Sequence, residues 1–173
     1  MKIWHGLSER IEKSVITLGI FDGIHIGHQT LIKETSEHAR KKGFSSLLLT
    51  FHPHPRLALF ILAEKERERL IAQLGIDIMI ILDFNKIKDL PPERFIKEIL
   101  VGHLGMKEIW IGSDHRFGKG QEGSVQLLRQ LSCQYNFEVF CMDDVTLENE
   151  RVSSSKIKKL LSLGEMKEVE NLL

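Results

Sequence analysis

Cysteine is scarce in this chain: Cys133 and Cys141 are the two in 173 residues. That is too few for the disulfide framework of a small secreted domain, so both read as reduced thiols. An excess of charge of either sign is also missing, because Lys+Arg and Asp+Glu each number 24. Without a net field the chain has no general attraction for nucleic acid or for an anionic membrane. Long apolar runs are lacking as well. The longest, Leu57–Ala63, is far shorter than the roughly 20 residues that span a bilayer, as is the apolar run Ile78–Leu82. The opening "MKIWHGLSER" places charge and glycine before any signal-peptide core can form. No low-complexity stretch, internal repeat or Pro-, Gly- or Ser-rich linker divides the sequence. These absences predict one cytoplasmic, monomeric domain over residues 1–173, with no nucleic-acid partner and no membrane partner. A hydrophobic share of 42% and a charged share of 28% are ordinary for such a domain.

What is present is an alternation of short apolar runs with amphipathic stretches. "VITLGIF" from Val15, "SLLLTF" from Ser46, "DIMIILDF" from Asp77, "EIWIG" from Glu108 and "FEVFCM" from Phe137 have the length and composition of strands. Most are apolar on both faces, as sheltered parallel strands are. Between them, "HQTLIKETSEHARKKG" puts Leu31, Ile32, Thr35 and Ala39 on one helical face and stops at Gly43. "AEKERERLIAQLG" and "PPERFIKEILVGHLG" are helical too, ending at Gly75 and Gly105, with Asp89 and Pro91–Pro92 as a start signal for the second. The order predicts an α/β fold: a parallel five-stranded sheet with helices on both faces and right-handed crossovers. Ligands of such sheets bind beyond the carboxyl ends of the strands. Residues with chemistry should therefore fall just after strands.

They do. After the first strand, "FDGIHIGH" sets His25 and His28 three apart, where a turn opens into a helix. Gly23 and Gly27 admit close backbone approach, and the helix start offers N–H groups and a favourable dipole to an anion. The same pattern serves as a polar cap, or as half of a zinc site that needs further ligands. After the second strand, "TFHPHP" stiffens His52 and His54 between Pro53 and Pro55, as a rigid loop, a pocket wall or a metal-binding pair. After the fourth comes "GSDHRFGKGQEG", with Asp114, Arg116, Lys119 and a stacking face in Phe117. After the fifth, "RVSSSKIKKLL" opens a helix with Ser153, Ser154 and Ser155 among three lysines. A serine run there suits capping, yet it arrives at the same sheet edge as three other anion-friendly loops.

Together these motifs resemble the bacterial FAD synthetase family, in its FMN adenylyltransferase module of the HxGH nucleotidyltransferase superfamily. "GIFDGIHIGH" is similar to that family's G-x-F-D-G-x-H-x-G-H, and "TFHPHP" to its F-x-P-H-P. "IGSDHRFGKGQEGS" resembles its G-x-D-F-R-F-G-K loop, and "VSSSKIK" its S-S-[ST]-x-I-R. The resemblance implies a Rossmann-like fold and transfer of AMP from ATP to FMN, with Mg²⁺ carried by ATP rather than by protein ligands. It implies that His25 and His28, with Ser153 and Ser154, carry the chemistry. ATP would then meet Gly19, Phe21, Asp22, Gly23 and Gly27 of the first motif. From the later motifs it would meet Asp114 and Arg116, then Val152, Ile157 and Lys158 beside the serines. FMN would meet Phe51, Pro53, His54 and Pro55 on one side, Asp114 and Phe117 on the other.

Three positions depart from the family pattern: Ile20 for Asn, His115 for Phe, and Lys158 for the final Arg. Lysine keeps the charge of that arginine and gives up its bidentate grip. The β-barrel riboflavin kinase module into which most members continue has no counterpart before "EVENLL", so activity is expected on FMN and not on riboflavin. Other readings stay open at this point. One is a superfamily member with a different phosphorylated acceptor. A metal-dependent hydrolase built on His25, His28, His52 and His54 is another, and a silent nucleotide-binding module is the third.

Overall fold

The computed structural model describes residues 1–53, 61–147 and 150–173. Its main sheet has six parallel strands: β1 (Lys2–His5), β2 (Ser14–Leu18), β3 (Ser45–His52), β4 (Ile78–Asp83), β5 (Met106–Gly112) and β6 (Glu138–Met142). Their order across the sheet is β1-β4-β3-β2-β5-β6. Five strands match the five expected, and β1 is the correction. Its four residues, KIWH, pair in parallel with Ile78–Ile81 of β4. An edge strand needs no apolar run on both faces, and this one is exposed at both ends, so hydrophobic patterning does not reveal it. A second small sheet pairs β7 (Thr146–Leu147) with β8 (Glu150–Arg151) in antiparallel fashion.

Alternate residues of the same strands feed opposite layers, as the period of two requires. Ile16, Leu18, Leu47, Leu49, Ile80, Leu82, Ile109 and Ile111 join a core with Phe95, Ile96, Leu100 and Leu128. Val15, Leu48, Met79, Ile81 and Trp110 face the other way, onto Leu31, Ile32, Ala39 and Ile71. The second layer is supplied by α1 (Ile26–Lys42) and α2 (Glu64–Gln73). The first is supplied by a helix that starts as α4 (Pro92–Arg94), continues π-helically over Phe95–Val101, and is followed by α5 (Val125–Tyr135). A short α3 (Phe84–Ile87) precedes them. Gly43 closes α1 at φ 67°, its N–H and that of Phe44 taking the last carbonyls.

A third cluster holds α6 (Ser154–Leu163) and α7 (Met166–Leu172) to the start of α1. Val152, Ile157, Leu160, Val169 and Leu172 pack with Ile26 and Ile61. Gln29, in the second turn of α1, donates to the carbonyls of Ile24 and Leu173. Among the described residues no helix is long and apolar enough to cross a membrane.

Candidate functional site

The strand order reverses at the β2–β5 pair: β3, β4 and β1 lie to one side and β6 to the other. Chains leaving the carboxyl ends of two adjacent strands diverge there and leave a crevice. A cleft of about 790 Å³ occupies that place. It is lined by Gly19, Phe21, His25, Gly27 and His28 beyond β2, and by Asp114, His115, Arg116 and Phe117 beyond β5. Asp143, Asp144 and Val145 line it beyond β6, with Arg151 and Val152–Ser154 entering α6. Three of the four predicted loops thus converge with described side chains. At the end of β3, Phe51 lines the cleft, whereas Pro53, just beyond the strand, is exposed and is not among the lining residues. His54 and Pro55 lie outside the described residues.

His25 is the N-cap of α1, its Nδ1 accepting the N–H of His28 at 3.3 Å. That bond uses one ring nitrogen as acceptor and leaves Nε2–H as a donor, which defines the neutral tautomer. The two imidazoles stack at 3.7 Å between centroids and 18° between planes, and the edge of Phe21 meets His28 at 5.2 Å. Burial, then the nearby Arg151 guanidinium, push His25 from its ordinary 6.5 down to about 4. Burial and the neighbouring His25 hold His28 well below its ordinary value. Both rings are therefore neutral donors at pH 7, not cations. Gly27 gives the stack room, because a Cβ there would lie a tight 3.3 Å from the His25 ring.

Across the cleft, Ser153 caps α6 by accepting the N–H of Lys156 at 3.2 Å. Ser154 donates its hydroxyl to the main-chain carbonyl of Asp22 at 2.8 Å. The serines thus orient the helix end, and the α6 N-terminus faces the same space as the histidines. Arg151 binds the Asp144 carboxylate at 3.0 Å and also the Asp114 carboxylate, which holds Asp114 below the usual carboxylate range. Gly19 and Val152 also line the cleft, but Asp22, Gly23, Ile157 and Lys158 are not among the lining residues. Ile157 is fully buried in the α6–α7 cluster. The Lys158 ammonium sits 2.8 Å from the buried Asp22 carboxylate.

The far end of the cleft is apolar. Phe51 meets Phe84 edge-on at 6.3 Å, and buried Phe117 tilts against Phe95 at 5.9 Å. Sequence reasoning missed Phe84, Ile87 and Phe95 in this wall, and Arg151 on the lip. Phe84 reads as the end of a strand, yet Asp83 caps α3 by accepting the N–H of Asn85 and turns Phe84 toward the cleft. The capping aspartate was the available signal. Among the described residues, no group of three or more His, Cys, Asp or Glu is arranged to hold a metal. Stacked His25 and His28, one of them already a cap, do not form a chelating pair.

Comparison with known proteins gives this geometry relatives. The chain is 33% identical over 168 residues to a bifunctional riboflavin kinase/FMN adenylyltransferase of Listeria monocytogenes, covering 92% of this chain and 53% of that protein. It is 31% identical to a protein of the same description from Escherichia coli, covering 98% of this chain and 57% of that one. It thus spans about half the length of these bifunctional relatives. An FAD synthetase of Listeria monocytogenes is 32% identical, with 92% of this chain and 68% of that protein covered. A solved structure from Streptococcus pneumoniae, described as a macrolide-efflux protein, superposes with a TM-score of 0.84 at 29% identity. That match covers 99% of this chain and 60% of the other. The family model described as FAD synthetase matches residues 7–156, which take in every motif quoted above except the last two residues of "VSSSKIK". With the cleft, its histidine cap and its serine-capped helix in the places those motifs specify, the chain belongs to the FAD synthetase family.

Proposed function

We propose that this chain is an FMN adenylyltransferase, a Rossmann-like nucleotidyltransferase domain over residues 1–173. In this reading it moves AMP from ATP, which brings its own Mg²⁺, to the phosphate of FMN, giving FAD and pyrophosphate. The observation that carries the reading is the pairing of a neutral histidine cap on α1 with the N-terminus of α6 across one cleft at the reversal of strand order. Two helix starts aimed at one space suit a polyphosphate.

An FMN phosphate oxygen attacks the α-phosphorus of ATP. The bond from that phosphorus to the bridging oxygen breaks, and pyrophosphate leaves with the electron pair. The attacking phosphate is already anionic at neutral pH, so no protein base or nucleophile is needed. The residues hold and neutralise: His25 and His28 donate Nε2–H to phosphoryl oxygens whose charge grows, and Arg151 supplies a guanidinium at the lip. Neutral donors suit turnover, because they strengthen with developing charge without trapping pyrophosphate as a fixed cation would. Phe51, Phe84, Phe95 and Phe117 give the isoalloxazine an apolar wall, with Asp114 at its border and Pro53, His54 and Pro55 assigned to it by the family resemblance.

The test is incubation of the purified chain with ATP, Mg²⁺ and FMN, followed by chromatography for FAD and an enzymatic assay for pyrophosphate. Both products should appear in equal amounts, and riboflavin should give neither, since the acceptor must present a phosphate. FMN recovered unchanged under conditions where ATP binds would reject the assignment.

A further inference from the structure

The carboxylate of Asp22 is buried inside the protein, behind the cleft rather than in it. It lies in a strained turn, since Phe21 and Ile24 on either side adopt φ of 52° and 45° without being glycine. Bulky residues hold such angles only where the surroundings over-determine them. Asp22 supplies those constraints. Its Oδ1 accepts the N–H of Ile61 at 2.7 Å, and its Oδ2 faces the Lys158 ammonium at 2.8 Å. Its main-chain carbonyl takes the Ser154 hydroxyl at 2.8 Å. The Arg67 guanidinium of α2 lies near enough for the two charges to be felt. One residue therefore joins the turn that leads to His25 and His28, the first turns of α6, and the segment entering α2. Gly23 completes the joint, because a Cβ there would press on Ile61 at 3.0 Å.

We infer that Asp22 and Lys158 form a positioning pair for the proposed reaction: the ion pair between the buried Asp22 carboxylate and the partly exposed Lys158 sets the α6 N-terminus at its working distance from the histidine cap. Lys158 then serves ATP through Asp22 and not by gripping phosphate, although it stands at the family's final-arginine position. The inference rests on the adenylyltransferase reading. Two predictions separate it from direct phosphate contact. Lys158→Met leaves a buried carboxylate without its cation, and that charge should push the joint apart. Asp22→Asn keeps an acceptor for Ile61 and removes the charge, so adding it to Lys158→Met should repair part of the damage. A lysine that holds phosphate leaves nothing for Asp22→Asn to repair.

The experiment measures FAD formation, the KM for FMN and, by calorimetry, Mg-ATP affinity. It uses the wild type, Asp22→Asn, Lys158→Met, their double variant and Lys158→Arg, with circular dichroism on each. Lys158→Met should lower kcat about tenfold with the FMN KM within about twofold, and the double variant should recover to within about threefold of wild type. Lys158→Arg, which keeps the pair, should match wild-type ATP affinity. A double variant no better than Lys158→Met, or tighter ATP binding by Lys158→Arg, would overturn the inference. If Asp22→Asn fails to fold, the Lys158→Arg comparison still decides. If the wild type binds ATP and makes no FAD, the functional reading fails by itself, and the ATP affinity of Lys158→Arg against wild type still tests the pair.

Discussion

At the scale of single residues, the cleft holds two imidazoles that burial keeps neutral. The folded His25 titrates near 4 against 6.5 when unfolded. Between those values the unfolded chain binds more protons, so stability is full above pH 6.5 and is lost as pH falls toward 4. From pH 7 to pH 5 the loss from His25 alone is about 2 kcal/mol. His28, lowered by burial, acts in the same direction. Urea midpoints at pH 5 and pH 7 should differ by less in His25→Gln than in the wild type; an equal difference in both would clear His25 of this role. His28→Ala tests catalysis instead. Loss of one donor to a developing phosphoryl charge should lower kcat by roughly 10²-fold, about 3 kcal/mol, while FMN still quenches or gains fluorescence on binding as before. Turnover at the wild-type level would remove His28 from the mechanism.

At the scale of elements, what was legible in the sequence followed from periodicity and from turn chemistry. The strands buried on both faces announce themselves by apolar runs, and Gly43 and Gly75 mark helix ends at positive φ, whereas the third helix stops at Gly102, three residues before the expected Gly105. The histidine cap and the serine cap are local patterns, so they too could be read. The missing pieces are those set by tertiary contact. Phe95–Val101 winds as a π-helix, although the sequence has the apolar spacing of an ordinary helix. The hairpin of β7 and β8 has two residues per strand and no hydrophobic signature. Lys158 looks free to reach a phosphate at the start of its helix, and its partner Asp22 is 136 positions earlier by subtraction of their numbers. No spacing rule links them.

The loop after β5 shows how element geometry governs the apolar end of the cleft, where the proposed function puts the flavin. Phe117 and Gly123 form an antiparallel bridge, and a Cβ at Gly123 would lie 2.6 Å from Phe117. Gly123→Ala must therefore displace Phe117, which packs on Phe95. Overpacking of this kind costs about 1–3 kcal/mol, and here it falls on the apolar wall of the cleft. The KM for FMN should rise several-fold while calorimetric ATP affinity stays unchanged. Equal FMN kinetics in the variant and the wild type would show that Phe117 does not shape the acceptor site.

At the scale of the whole molecule, the two lips of the cleft hang from strands of unequal security. β2, which leads to His25 and His28, lies inside the sheet, hydrogen-bonded to β3 on one side and β5 on the other. β6, which leads to Asp143, Asp144 and Val145, is an edge, bonded among the described residues to β5 alone. Partial openings of a sheet begin at its edges, because fewer bonds and less apolar area are given up there. The protein should therefore visit forms in which β6 and the hairpin have peeled away while the histidine lip stays folded. Amide hydrogen exchange reads this directly. Amides of β2 should exchange only through global unfolding, and those of β6, β7 and β8 through cheaper openings that ATP suppresses. A single exchange free energy for β2 and β6 would exclude such forms. Where they occur, breathing of one edge strand opens a route into the cleft from the acidic side, and under the proposed function nucleotide would exchange there without disturbing the histidines assigned to phosphate binding.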